Sequence, residues 1–136
     1  MNPLNALQQA LITHLRAQDS LKLWLGNTVR VYDELPEEII HPYVTLDRVE
    51  ARPLAGNGDE ITEQIVTLSC VSRFYGTEEA KAVAAELRVI LDQAQLTLEG
   101  NRLANLRVSY VDVFRGTDQR TIYGVVRVRA VTEAVA

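Results

Sequence analysis

Cysteine is nearly absent: Cys70 is the only one, which excludes an internal disulfide framework and a cysteine-rich zinc site. The two histidines, His14 and His41, have no second histidine four residues on, and no H-E-x-x-H run occurs. No apolar stretch approaches the length of a membrane span. The N-terminal segment, MNPLNALQQALITHLRAQD, has neither the basic start nor the continuous apolar run of a secretory signal, so a cytosolic site of synthesis is expected. An excess of basic residues is also missing. A formal charge of −4 leaves no electrostatic footprint for gripping nucleic acid or an anionic membrane.

Motifs that carry chemistry are missing one by one. Gly56-Asn57-Gly58 follows a strand, but no helix opens after it and no Lys-Ser or Lys-Thr comes next, so it reads as a hairpin tip rather than a phosphate cradle. Asp59, Glu60 and Glu63 lack the alternating spacing and turn glycine of a calcium loop. Ser69, Ser72 and Ser109 lie in strand patterns, with no strained Gly-x-Ser-x-Gly turn to present a nucleophile. Glu37-Glu38 and Glu78-Glu79 are adjacent pairs in a bend and at a helix start, where solvent or the helix dipole accounts for them. The residues imply no enzyme, no cofactor and no metal.

What is present is an ordinary globular composition, 47% hydrophobic and 24% charged, over 136 residues. That length suits one domain, residues 1–136, with its own core. Leu4, Leu7, Leu11 and Leu15 form the stripe of an amphipathic helix with Pro3 in its first turn, ending near Ala17. Residues 21–25 suggest a short further turn, stopped by Gly26 and Asn27. A short strand is expected over 29–32 and a bend over 36–42, since Pro36 and Pro42 fix φ and donate no ladder hydrogen bond.

Residues 43–52 and 61–74 read as long strands joined by a tip rich in glycine and acids. That tip, 53–60, is expected to be the most mobile segment of the free chain and to order against a partner, with Leu54, Asn57 and Asp59 as contact candidates. Thr77 is expected to cap a helix of about five turns carrying the stripe Ala80, Val83, Ala84, Leu87, Ile90, Leu91 and Ala94. Strands over 103–114 and 121–133 complete the pattern. The fold class expected is α+β: a mainly antiparallel four-stranded sheet with two helices packed on one face.

Simple alternation divides the strands into two faces. One carries Val66, Leu68 and Cys70, then Leu106, Val108 and Tyr110, then Val126, Val128 and Ala130, and the helices should cover it. The opposite face carries Ile65, Val71, Val111, Val113, Tyr123, Val125 and Val131, interleaved with Glu63, Arg73, Arg107, Arg127 and Arg129. Two helices leave little to cover that second face, so self-association or another partner is expected there. The alternative is that β-branched residues occupy strands whatever they face. The arginines fit either a solvated row or a rim that meets a neighbour's acids. Ile39 and Ile40, inside the bend, fit either burial under the first helix or an anchor for a neighbouring molecule.

Three blocks carry a family resemblance. The first is Arg30-Val31-Tyr32-Asp33, Pro36 and Pro42-Tyr43-Val44-Thr45-Leu46. The second is Ser72-Arg73, Gly76 and Glu79-Ala80. The third is the charged turn 115–120 followed by Gly124-Val125-Val126-Arg127-Val128-Arg129. In this order and spacing the chain resembles the small tail completion, or tail terminator, proteins of long-tailed bacteriophages, prophages and gene transfer agents. It departs from them at Asp47, where the family often has glycine, and at Val71, where it often has tryptophan.

The resemblance implies a structural virion protein located at the head-proximal end of the tail and assembled in the host cytoplasm. Its copies would form a hexameric ring on the tube, stop tube polymerisation and present a docking surface to the head connector. The tail tube protein and the connector would be its partners, DNA would only pass through the lumen, and no membrane or catalytic residue would be involved. The alternatives are an adaptor of the head-neck connector or another phage-encoded binding module, and a ligand-binding α+β domain.

Overall fold

The computed structural model describes residues 1–54 and 60–135. Three helices and five strands follow in the order α1 (Pro3–Arg16), α2 (Asp19–Leu25), β1 (Val31–Tyr32), β2 (Tyr43–Pro53), β3 (Ile61–Ser72), α3 (Glu78–Leu91), β4 (Asn101–Arg115) and β5 (Ile122–Ala134). The class is α+β as expected, with five strands and three helices among the described residues where a four-stranded sheet and two helices are expected. The fifth strand is β1, which falls within the short strand expected over 29–32 and joins the sheet in parallel at Val44 and Thr45. The extra helix is α2, whose apolar residues Leu21 and Leu25 are both buried. Sheet order is β1-β2-β3-β5-β4, and every pair after the first is antiparallel.

Helix α1 forms because Asn2 caps it, its side chain accepting from the Asn5 N–H at 2.8 Å, and because Pro3 occupies the first turn. Leu7, Leu11 and Leu15 go into the core with Ala6, whereas Leu4, at the head of the expected stripe, stays exposed. Helix α3 buries Ala80, Val83, Ala84, Leu87 and Leu91. It is shorter than the stripe suggests: Asp92 leaves the helical region, and Gln93 takes a positive φ of 62°, so Ala94 lies beyond its end. Thr77 occupies the cap position without a side-chain cap bond, and Glu79 instead accepts from the Ser72 hydroxyl at 2.7 Å.

α3 lies over β5, β4 and β3, α1 lies toward β1 and β2, and α2 packs on α3. Between helices and sheet, Leu7, Leu11, Leu15, Leu21, Leu25 and Leu87 meet Val66, Leu68, Cys70, Val126 and Val128 in one cluster. Each such side chain contributes about 1.5–3 kcal/mol of burial. Gly124 sets how close the layers come. A Cβ there would stand 2.9 Å from the Ala80 carbonyl oxygen, so only glycine lets the first turn of α3 rest on β5. Gln64 is a polar side chain fully buried on this face. Its amide donates to the Pro3 carbonyl at 3.1 Å and to the Thr132 hydroxyl at 3.2 Å, tying the start of α1 to the sheet.

Three β-bulges interrupt simple alternation. The register moves from Leu46↔Leu68 to Arg48↔Thr67, from Leu103↔Thr132 to Asn105↔Val131, and from Val108↔Val128 to Tyr110↔Arg127. Asp47, Ala104 and Ser109 are therefore the extra residues. The last of these overturns part of the expected face assignment. Past Ser109 the faces exchange, so Tyr110, placed in the core by alternation, points away from the helices. Val111 and Val113 pair with Val126 and Gly124 and face α3 instead.

Candidate functional site

The sheet face turned away from the helices is a built surface. Along β3 and β5 it carries Glu63, Ile65, Val71, Tyr123, Val125, Arg127, Arg129 and Val131, paired in register as Glu63↔Val131, Ile65↔Arg129 and Val71↔Tyr123. From β2 come Tyr43, Thr45, Arg48, Glu50 and Arg52, and from the far side of the bulge in β4 come Tyr110, Asp112 and Phe114. The sequence-predicted set is thus brought together, except for Val111 and Val113, which the bulge sends to the α3 side.

Near the start of β3 sits Glu63, only 8% exposed although it is on the outer face. Its carboxylate accepts from Arg129 Nε at 2.6 Å and from Arg52 Nε at 2.7 Å, one guanidinium on each oxygen. Arg129 first and Arg52 second hold this carboxyl below the ordinary carboxylate range. Arg127 lies over the Tyr110 ring, 4.7 Å from its centroid, and Phe114 stacks on Tyr123 at 5.5 Å. At the bulge in β2 Asp47 accepts from the hydroxyls of Ser69 and Thr45.

The arginines read from sequence as a solvated or neighbour-facing row find partners in their own chain. Arg107, which pairs with Arg129 in register, turns its guanidinium to Asp92 at the end of α3, at 3.2 Å. Arg73 lies 3.6 Å from Asp118. Asp118 organises the β4–β5 turn: it accepts from the Thr121 N–H at 2.9 Å, the Thr121 hydroxyl at 2.7 Å and the Arg120 N–H at 3.0 Å. Those bonds, the Thr121 N–H foremost, depress its carboxyl to about 2.

A second surface lies at the end of the sheet where β2 starts and β3 stops. Arg30 pins the two legs of the preceding bend: its carbonyl accepts from the Val44 N–H at 2.9 Å and its Nε donates to the Pro42 carbonyl at 2.9 Å. Between those legs Ile39 is exposed and Ile40 is 62% exposed, so α1 does not cover them. Phe74 and Tyr75, after β3, are exposed as well, Tyr75 to 88%. Sequence reading missed this pair because Phe74 continues the strand's apolar run. The signal was Gly76, whose φ of 91° turns the chain out of the strand before α3.

Of the tip residues, Leu54 is half-buried and donates its N–H to the Ile61 carbonyl at 2.9 Å, while Asn57 and Asp59 lie outside the described residues. Cys70 is buried in the core, and burial pushes its thiol up to about 12. His14 reaches the Ile90 carbonyl at 3.3 Å and His41 packs against Tyr43 at 5.3 Å. Among the described residues no group of three or more His, Cys, Asp or Glu is placed to hold a metal ion, and no helix is long and apolar enough to cross a membrane.

An ordered, partly apolar surface of this kind is suited to contact with other macromolecules. The fold is similar to a chain of a solved structure described as the virion of a native gene transfer agent particle. The two are 26% identical with a TM-score of 0.90, over 96% of this chain and 97% of that one. No curated protein matches the chain. The tail completion protein gp17 family matches residues 9–133, nearly the full length and all the elements that build both surfaces, and the chain belongs to that family.

Proposed function

We propose that this chain, as a single domain, is a non-catalytic component of the virion that forms a hexameric ring at the head-proximal end of a phage-type tail tube. There it ends tube polymerisation and joins tail to head. The observation that carries this reading is the family match over residues 9–133, joined by likeness along nearly the whole length to a chain of a native gene transfer agent particle. The outer sheet face, around Glu63, Tyr123, Val125, Arg127 and Arg129, and the end surface with Ile39 and Ile40 are what the ring offers to the tube protein and the head connector. DNA passes through the lumen, which suits a chain of net charge −4, because a ring that gripped phosphates would retard passage.

The mechanism is steric. An open tube end keeps presenting the surface to which the next tube subunit adds, and a ring seated on it removes that surface. Deleting the gene from its phage or prophage is expected to leave filled heads and separate tails, some with overlong tubes. Adding the purified chain to such an extract should restore joining without nucleotide or metal. Normal joined particles from the deletion strain would overturn the reading. Tubes of normal length that still fail to join would move the chain one layer up, to an adaptor of the head-neck connector.

A further inference from the structure

Charge is unevenly placed at the end of the sheet where β2 starts and β4 stops. The bend before β2 carries Asp33, Glu34, Glu37 and Glu38, with no lysine or arginine between Arg30 and Arg48. These acids are exposed, and among the described residues none of them takes part in an ion pair. Leu35, set between the two acidic pairs, is 41% exposed. At the same end, past β3 and around the β4–β5 turn, the exposed Arg73, Arg115 and Arg120 gather with Phe74 and Tyr75 about a pocket of about 370 Å³. Asp118 lies there too, but its carboxylate is taken up by the Thr121 and Arg120 N–H groups and the Thr121 hydroxyl, with Arg73 at 3.6 Å. Arg115 and Arg120 have no acidic partner among the described residues.

We propose that the acidic bend of one copy seats in the arginine pocket of the next, Glu34, Glu37 and Glu38 meeting Arg115 and Arg120 while Leu35 lies against Phe74 and Tyr75. The topology positions both surfaces for this. Tyr43, Val71, Tyr123 and Phe114 stand in one row across β2, β3, β5 and β4. The bend leads into the first residue of that row, and the β4–β5 turn follows just beyond the last. Both are therefore at one end of the sheet, on opposite flanks of the order β1-β2-β3-β5-β4. Neighbours set side by side in the same orientation bring the bend of one to the turn of the other. Such a contact joins two different patches, the head-to-tail type that closes into a ring.

Charge complementarity names a second copy as the occupant. A pocket of guanidinium groups and exposed aromatic rings calls for an acidic, exposed segment with an apolar residue in it, and residues 33–38 have that composition. Opposite charges across a contact steer encounter and fix its orientation, and like charges suppress the alternatives. Bend against bend would set acids on acids, and pocket against pocket would set arginines on arginines. Bend on pocket is the favourable pairing, so the charges direct copies round a ring and away from a two-fold dimer. The inference rests on the ring reading above and supplies the subunit contact that reading requires. Ile39 and Ile40, farther along the same bend, keep the role given there.

The test uses full-length chain in extract complementation. Glu34→Lys, Glu37→Lys and Glu38→Lys together reverse the sign of the bend, and Arg115→Glu with Arg120→Glu reverse that of the pocket. Each variant alone is expected to keep the parent's unfolding midpoint and to lower joining about tenfold. A one-to-one mixture of the two should restore joining, because in a hexameric ring they alternate with every bend facing a pocket of opposite sign. Mixing does not rescue a contact inside one chain or one made with the tube or connector, so an inactive mixture of two folded variants would overturn the proposal. Either variant joining as well as the parent would overturn it too. Failure of the parent chain itself to restore joining would instead overturn the ring reading. A second arm leaves charge and fold as they are. With Arg120→Lys, zero-length carbodiimide coupling in joined particles is expected to give multimers on a denaturing gel, linking residue 120 to Glu34, Glu37 or Glu38 of another copy. Joined particles that contain the chain but yield no such link would overturn the contact and leave the ring reading standing.

Discussion

The two faces of one sheet are built by opposite means from the same strands. On the helix side Leu68, Val126 and Val128 are excluded from water and held by close packing, with Gly124 admitting the backbone of α3. On the far side, one residue along in each strand, Glu63 is gripped by Arg52 and Arg129, Arg127 lies on Tyr110, and Phe114 stacks on Tyr123. The first face makes the chain fold. The second is ordered by pairs within the chain, so it needs no partner to take shape and meets one already organised, which lowers the ordering cost of binding.

This comparison can be broken most directly at its packed side. Leu68→Ala is expected to cost about 2–5 kcal/mol, read from chemical denaturation of the purified chain. Arg127→Glu on the other face should leave the unfolding midpoint nearly unchanged while abolishing tail joining in extract complementation. If the two variants lose stability alike, the division between faces is wrong. Gly124→Ala comes next, at about 1–3 kcal/mol, because its methyl would press on the Ala80 carbonyl. A variant as stable as the parent would mean that α3 can lift without penalty.

Acid should separate the faces as well. Glu63 and Asp118 both have carboxyls depressed in the folded chain. Their contribution is therefore fully present above the ordinary carboxylate range and is lost as pH falls through the folded values, for Asp118 down to about 2. Denaturation midpoints should drop between pH 7 and pH 3, and less steeply in Glu63→Gln, which has no charge to lose. An unchanged slope in that variant would mean the arginine clamp contributes little. The smallest stability effect is expected for Ile39→Ser with Ile40→Ser, within about 0.5 kcal/mol, since both are exposed. Joining should nonetheless fail, and a large loss of stability would place the pair in the core.

Periodicity made the core legible: Leu7, Leu11 and Leu15 on α1 and Val66, Leu68 and Cys70 on β3 are where their spacing puts them. It failed where the backbone departs from its regular period. Alternation cannot register an extra residue, so Tyr110, Val111 and Val113 were assigned to the wrong faces from Ser109 onward. Among site residues, Glu63 and the arginines were recognisable as a group, but their mutual pairing was not, since Arg52 and Arg129 reach Glu63 from different strands. The exposure of Phe74 and Tyr75 was hidden for a related reason: a strand's end is set by a turn at Gly76 and not by hydrophobicity.

Ser109 has a consequence for how such chains can change in length. Because it is the supernumerary residue opposite Arg127, its removal would leave Val108 followed by Tyr110 in an unbroken ladder, every later side chain keeping its present neighbour. A one-residue loss at most other points in β4 would turn the rest of the strand inside out. Length variation among relatives in this strand should therefore gather at Ser109 and Ala104, where evolution can insert or excise a residue without exchanging the inside of the molecule for its outside.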